Sequence, residues 1–170
     1  MSGGHMLITL IAICTFVAML LHELGHLKAA KLCQVPASEL SIGLGPKVCG
    51  FRMGSVMYSL RLFPLGSFVR LNSAALHKRP VKQQLFIHLA GIIVNLIVSI
   101  AAYGTLLGQI NLLLAIANLL PIYQHDGWKC GVVLARAFLQ RQSRPVEWTF
   151  TFSGGVVSLL LINTVLRLFG

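Results

Sequence analysis

Long apolar runs dominate the chain and predict membrane helices. Residues 6–32, 84–107 and 148–169 form such runs, and each is long enough for the roughly 20 residues with which a helix crosses a bilayer core. A further run, residues 110–139, reaches that length only if both sides of a break near Pro121 are counted. A broken helix is tolerated at membrane depth where it lies within protein or lines a cavity. The pattern predicts one membrane domain over residues 1–170, an all-α bundle of about four transmembrane helices.

The segment between the first two runs has a different pattern. Residues 38–71 are rich in glycine and in strand-forming residues, and residues 57–64 alternate as they do along a strand. We expect two to four short strands, with turns near Gly45-Pro46, near Gly54 and at residues 64–67. The segment is too apolar for an ordinary solvated loop. It therefore predicts a membrane-associated β-hairpin or small sheet inserted between helices 1 and 2.

Composition and charge agree with a membrane protein. The chain is 56% hydrophobic and only 11% charged, whereas a soluble domain has about 25% charged residues. Its net charge of +10 does not indicate nucleic-acid binding, because the basic residues lie in the connections between apolar runs. Nine of the fourteen lysines and arginines lie between residues 28 and 82. The positive-inside rule puts this region in the cytoplasm and the N-terminus outside.

Three ionisable residues interrupt the first apolar run. His22 and His26 are four positions apart, so they lie one turn apart on the same helix face and can bind one metal ion. Glu23 then lies beside the metal, where it can take a proton from the attacking water. Each such residue costs roughly 2.5–3.5 kcal/mol on insertion scales, which favours a functional reason for the motif. The alternative is a polar cluster that hydrogen bonds satisfy inside the bundle.

A third zinc ligand is sought elsewhere, because hydrolytic zinc sites use three protein ligands and keep a fourth position open. Asp126 is the only aspartate in the chain, and it lies beside the helix break and before Gly127. A break at membrane depth would let this carboxylate point into the bundle. Asp-Gly is also a common turn pair, so a solvated turn remains the alternative. The four cysteines include no C-x-x-C pair, which argues against a thiolate zinc site.

These motifs resemble those of the site-2 proteases, a family of intramembrane zinc metalloproteases. HELGH at residues 22–26 is similar to the family's zinc motif in the first core helix, and NLLPIYQHDG at residues 118–127 keeps its Asn, Pro and Asp-Gly spacing. LFPLGSFVRL at residues 62–71 resembles its membrane-associated β-hairpin, and residues 77–95 resemble the entry to its second core helix, which carries a Gly and an Asn. The chain departs from the family at Ile92, where proline is common, and at Gln124-His125.

The resemblance implies a site and a chemistry. It implies Zn²⁺ as the cofactor and Glu23 as the catalytic base. Two asparagines are implied to position the substrate, although hydrogen bonding between helices is the alternative for both. The residues implied are His22, His26 and Asp126 for the metal, Glu23 for catalysis, and Asn95 and Asn118 for substrate binding.

The resemblance also implies a setting. It implies a multi-pass protein of a prokaryotic plasma membrane, with the active site near the cytoplasmic side. The expected partners are the lipid bilayer and a membrane-protein substrate with a transmembrane segment, cleaved in regulated intramembrane proteolysis. No nucleic acid is expected, and a regulatory membrane partner or oligomer is left open. We expect a minimal member without a PDZ or CBS domain.

Two other functions fit parts of the pattern. A non-catalytic metal-binding membrane scaffold would keep the histidines, but metal binding alone does not require Glu23. A transporter would also carry intramembrane charges and a broken helix, but the chain shows no repeat. For the protease, the strand MYSLRLF at residues 57–63 is expected to offer an exposed edge. An extended substrate would pair with this edge by β-augmentation.

Overall fold

The computed structural model describes residues 2–139 and 144–169, which are mostly helical and include one small β-sheet. The chain divides into two compact units, Met1–Ile116 and Ala117–Gly170, with their border inside the fourth helix. In chain order the elements are α1 (Ser2–Leu32), β1 (Ala37–Met53), β2 (Val56–Leu71), α2 (Ser73–His77), α3 (Val81–Ala101), α4 (Leu106–Leu119), α5 (Asp126–Leu139) and α6 (Arg144–Phe169).

Two helices of the described chain are long and apolar enough to cross a membrane. They are Gly4–Leu32 and Val81–Ala101, of 29 and 21 residues, and they match the first and second predicted spans. Between α4 and α5, residues 120–125 are not helical, and the break predicted near Pro121 falls among them. Because α4 has only 14 residues and the described apolar part of α6 is Thr151–Leu160, the bundle of four spans stays a prediction.

Close packing of α1 against α3 organises the first unit. A Cβ added at Gly25 would lie 2.8 Å from the carbonyl oxygen of Ala90 and 2.9 Å from Cγ2 of Val94. Small residues permit this close approach of the two helices. In a membrane the hydrophobic effect does not drive helices together, so van der Waals packing of this kind stabilises their contact. The core continues beyond the end of α1 as a buried cluster of α1, α2, α3 and the loop before β1. Its members are Ala29, Ala30, Cys33, Val35, Leu76, Ile87 and Ala90.

The β region contains two long strands, and each of them doubles back to form two short paired segments. β1 and β2 pair antiparallel around a turn at Gly54 and Ser55, as predicted. The register also reverses the chain near Gly45-Pro46 and near residues 64–67, where turns were predicted: residues 39–42 pair in parallel with residues 57–60 but antiparallel with residues 67–70. Gly43, Gly45 and Gly66 have φ values of 91°, 84° and 81° at these reversals. Glycine adopts this conformation without strain, so the chain can turn there.

The register contradicts the expected edge at residues 57–63. Residues 57–60 pair with residues 39–42 of β1 and also with residues 49–52, so they have neighbours on both sides. Residues 67–71 pair with β1 on one side only, which makes them an edge of the described sheet. The prediction was wrong because alternation along a strand shows which side chains share a face but not how many strands are its neighbours.

A polar network occupies the inside of this sheet. Oε1 of Glu39 accepts hydrogen bonds of 2.8 Å from Oγ of Ser59 and from Nη2 of Arg61. Nε of Arg61 donates to Oγ of Ser41 at 2.8 Å, and its Nη1 donates to the carbonyl oxygen of Gly45 at the same distance. Ser41 is fully buried and the Glu39 side chain is 14% exposed. The guanidinium therefore joins the first part of β1, residues 39–45, to β2.

Apolar side chains on the outer part of the sheet face away from the protein. Between 48% and 63% of the surface of each is exposed. This exposure fits the predicted association of the sheet with a membrane, because soluble proteins rarely leave so many neighbouring apolar side chains uncovered. These residues are Leu44, Val48, Phe51, Met53, Leu62 and Phe63.

The second unit contains α5 and α6. The rings of Tyr123 and Trp128 meet edge to face with their centroids 5.1 Å apart. A Cβ added at Gly154 of α6 would lie 3.0 Å from Cδ1 of Trp128, so the missing side chain lets α6 pack on the indole. This contact fixes the beginning of α5 against α6.

We predict that Arg61→Met destabilises the protein by about 2 kcal/mol, because it leaves the partly buried Glu39 carboxylate without its principal cation and hydrogen-bond donor. The exposed Arg52 of the same sheet is the matched control, and Arg52→Met should change the free energy of unfolding by less than about 0.5 kcal/mol. Denaturant titration of both purified variants measures the difference. Equal stability of the two variants would contradict the structural role of the network.

The same network predicts a pH dependence. Burial alone would raise the pKa of Glu39, but the hydrogen bonds from Ser59 and Arg61 and the charges of Arg61 and Arg70 outweigh it and lower this pKa. The stabilisation is therefore complete above the unfolded pKa of about 4.3 and is lost as the pH falls through the lower folded value. Glu39→Gln should remove this part of the acid-induced loss of stability.

Candidate metal centre

The two histidines of the HELGH motif face one point inside the first unit. His22 and His26 are 6% and 7% exposed, and their Nε2 atoms lie 3.1 Å apart. Two nitrogens bound to one tetrahedral zinc ion at 2.0–2.1 Å would be about 3.3 Å apart. The rings stand almost perpendicular to each other, with an angle of 81° between their planes. The spacing of the pair therefore suits two ligands of one zinc ion.

A main-chain contact orients His26. Its Nδ1 lies 2.7 Å from the carbonyl oxygen of Ile87 in α3. A carbonyl oxygen only accepts, so Nδ1 carries the proton and Nε2 keeps the lone pair that a metal requires. Ligating histidines are commonly fixed in this way through their second nitrogen. The packing of α3 on α1 thus sets the tautomer of a candidate ligand.

Gly91 of α3 provides the space in which the two rings lie. A Cβ added at this position would lie 2.5 Å from Nε2 of His26 and 2.7 Å from both Nε2 and Cε1 of His22. Cβ atoms essentially never come so close to other heavy atoms, so any larger residue would displace the ligating edges of both rings. The resemblance pointed to Gly91 as part of a helix motif, and the geometry gives the physical reason for a glycine.

Glu23 lies beside the histidines and has a partner in the sheet. It is 5% exposed, and its Oε1 accepts a hydrogen bond of 2.7 Å from Oγ of Ser67. Sequence reasoning did not identify Ser67. The sequence feature that could have indicated Ser67 is its position as a polar residue within the apolar segment LFPLGSFVRL, directly after Gly66.

Asp126 is the first residue of α5 in the second unit. It is 2% exposed, which disagrees with a solvated turn, and its Oδ1 forms an ion pair of 2.9 Å with Nζ of Lys129. A Cβ at Gly127 would collide with the carbonyl oxygen of Leu119, so this close turn admits only glycine. The neighbouring Gln124 has a φ of 69°, which is uncommon for a residue with a side chain. The chain is thus bent sharply where the carboxylate emerges.

The asparagines differ in their surroundings. Asn95 in α3 is fully buried, and neither atom of its amide has a hydrogen-bond partner within the described chain. It follows Gly91 by four residues and so lies on the same helix face. Asn118 is half-buried near the end of α4. Sequence reasoning missed Asn111, which is also fully buried and donates to the carbonyl oxygen of Leu107 at 2.8 Å.

A buried, unsatisfied amide is costly, by about 1–3 kcal/mol. Native proteins retain such a group chiefly where it has a task, and an asparagine can both donate to and accept from a peptide. The amide of Asn95 therefore has a donor and an acceptor that no group of the described chain uses.

Known proteins resemble the part of the chain that carries the histidines. The model of Peptidase family M50 matches residues 9–108, more than half of the chain. A Clostridium acetobutylicum protein named "Putative zinc metalloprotease" is 38% identical over 98 residues, which cover 52% of this chain and 29% of that protein. A Staphylococcus aureus (strain N315) protein of the same name is 37% identical over 78 residues, 45% of this chain and 18% of the relative.

The zinc metalloprotease RasP of Geobacillus kaustophilus is 50% identical over 50 residues, which are 29% of this chain and 12% of RasP. The matches thus span less than a third of the length of each of these relatives. The family match, in contrast, covers α1 from residue 9 onwards, the whole sheet and α3, which hold both histidines, Glu23 and Gly91. The chain belongs to Peptidase family M50, the family of the site-2 proteases that its motifs resemble.

Proposed function

We propose that this chain is a zinc metalloprotease that hydrolyses peptide bonds within or near the transmembrane segments of membrane proteins. The observation that carries the proposal is the buried pair of imidazoles whose Nε2 atoms meet 3.1 Å apart beside Glu23. Membership of the peptidase family and the names of the relatives support zinc and proteolysis. The two long apolar helices support a location in the membrane.

We propose His22, His26 and Asp126 as the three zinc ligands. Each offers one ligand atom, and two imidazoles with one carboxylate form a donor set used in catalytic zinc sites. Zinc held by three protein ligands polarises carbonyl oxygens and brings the pKa of water towards about 7. The ion pair with Lys129 would then fix the orientation of the Asp126 carboxylate and balance part of its charge.

Glu23 is proposed as the general base. Its carboxylate accepts the proton of the attacking water and returns a proton to the leaving amine. Asn95 is proposed to hold the peptide near the scissile bond, since its buried amide has unused donors and acceptors. Asn118, at the end of α4, is proposed as a second contact for the substrate.

The sheet edge at residues 67–71 is proposed to bind the substrate in an extended form. A helical substrate hides its peptide carbonyls, so it must unwind before hydrolysis. An edge strand offers main-chain hydrogen bonds to the unwound segment. Ser67, the first residue of this edge, already touches Glu23, so a strand docked here would pass close to the base.

The proposed setting is a prokaryotic plasma membrane with the N-terminus outside. Positive residues at the end of α1 and the beginning of α3 would then face the cytoplasm. Lys28, Lys31, Lys78 and Lys82 are exposed there. The active site would lie near the cytoplasmic side, where cleavage releases a soluble fragment in regulated proteolysis.

The ligand set predicts the zinc content. Detergent-purified protein should bind about one zinc ion per chain, as three-ligand catalytic sites do. His22→Ala and Asp126→Ala should each lose it, whereas Glu23→Gln should retain it because the base is not a ligand. Metal analysis, with circular dichroism as the control for folding, makes the measurement. Zinc retained by a folded Asp126→Ala variant would reject Asp126 as the third ligand.

The activity is tested with a leucine- and alanine-rich transmembrane peptide that has a central Gly-Ser pair and carries a fluorophore and a quencher at its ends. The zinc-loaded wild type should cleave it, and Glu23→Gln should be slower by at least about 100-fold, the lower size of a general-base effect. No cleavage by a zinc-loaded wild type would favour the metal-binding scaffold over the protease.

Gly91→Ala should weaken zinc binding by about 10-fold or more, a loss comparable to that of a group that orients a ligand. The added methyl group would push the imidazoles apart. Gly155→Ala in α6 is the matched control, because a Cβ there meets nothing within 4 Å. Chelator competition measures both affinities, and equal values would show that α3 does not restrain the rings.

Proline at Val69 should slow cleavage of the same peptide at least several-fold without loss of zinc. Proline removes a main-chain donor from the proposed edge. Phe68→Pro and Arg70→Pro test the neighbouring donors of this edge in the same way. Full turnover by all three folded variants would exclude pairing of the substrate with this edge.

A further inference from the structure

The partner of Glu23 differs in kind from those of Glu39, which is partly buried, and of Asp126, which is buried. Glu39 pairs with Arg61, and Asp126 pairs with Lys129. Glu23, in contrast, accepts a hydrogen bond from a neutral hydroxyl, Oγ of Ser67, and no cation pairs with it within the described chain. A hydroxyl donor orients a carboxylate through one hydrogen bond and uses only one of its oxygens.

The hydrogen bond uses one oxygen of the carboxylate. Ser67 donates to Oε1 at 2.7 Å, a short distance for an O–H donor and an ionised acceptor. A glutamate side chain has several rotatable bonds and can adopt several rotamers. A hydrogen bond to one oxygen favours one rotamer, so the carboxylate spends more of its time in a single orientation. With Oε1 held, Oε2 remains for a proton from water.

The sheet holds Ser67 itself. Its main chain is in register with Ile42 of β1, which is 4% exposed, and it follows Gly66 at a φ of 81°. The contact to Glu23 joins residues 44 positions apart in sequence. The orientation of the carboxylate is therefore set by the packing of β2 against α1 and not by the helix alone.

We propose that Ser67 is a positioning residue for hydrolysis: it holds Oε1 of Glu23 so that Oε2 faces the attacking water. The inference rests on the proposed function, in which Glu23 is the base. It assigns the sheet a task in catalysis beyond binding of the substrate.

Three variants in zinc-loaded protein test the inference with the fluorogenic transmembrane peptide. Ser67→Ala should lower kcat about 10-fold, a part of the general-base contribution, with KM and zinc content unchanged. Ser67→Thr keeps a hydroxyl and should recover most of the loss. Ser55→Ala, at the exposed turn of the same sheet, is the matched control and should behave as wild type.

A stability measurement tests the contact without use of activity. Ser67→Ala should lower the melting temperature of the wild type but cause no such shift in a Glu23→Ala background, because the hydrogen bond is already lost there. Equal shifts in both backgrounds would overturn the inference, as would an unchanged kcat in Ser67→Ala. If the wild type cleaves no peptide but the shifts differ, the proposed protease fails while the contact stands, and the positioning role falls with the protease.

Discussion

The close approach of α1 and α3 is the constraint on which the candidate centre depends. Gly25 lets the helices meet, and Gly91 leaves the volume that the two imidazoles fill. The same approach brings the carbonyl oxygen of Ile87 within 2.7 Å of His26. A separation larger by the width of a methyl group would lose the hydrogen bond and the fixed tautomer with it. Helix packing and ligand geometry are therefore one requirement in this protein.

Three acidic groups that are buried or partly buried show how a basic, apolar chain tolerates negative charge. The protein has only four acidic residues against fourteen basic ones. Glu39 lies in a hydrogen-bonded network with arginine and serine, which suits a permanent structural charge. Asp126 forms an ion pair with Lys129, and Glu23 accepts a hydrogen bond from the hydroxyl of Ser67. The three carboxylates thus differ in the kind of partner that they have.

The sequence predicted features that depend on local spacing. The separation of His22 and His26 places them on one helix face wherever the helix lies, and Pro121 with Asp126-Gly127 indicated the break before α5. Contacts between distant segments could not be predicted in this way. The hydrogen bond of Ser67 to Glu23 depends on a sheet register that alternation does not determine. The register also gives residues 57–60 neighbours on both sides and leaves residues 67–71 as an edge of the described sheet.

The acceptor that orients His26 belongs to the main chain, and this has a consequence for divergence. The side chain of Ile87 can be exchanged during evolution without loss of the carbonyl oxygen, so a comparison of homologous sequences would give no sign that this position matters. An insertion or deletion of one residue in α3 before this point would be different. It would rotate the following part of the helix by about 100° relative to the preceding part, and another carbonyl would face the ring. Selection should therefore preserve the number of residues between Pro80 and Gly91 more strictly than their identities.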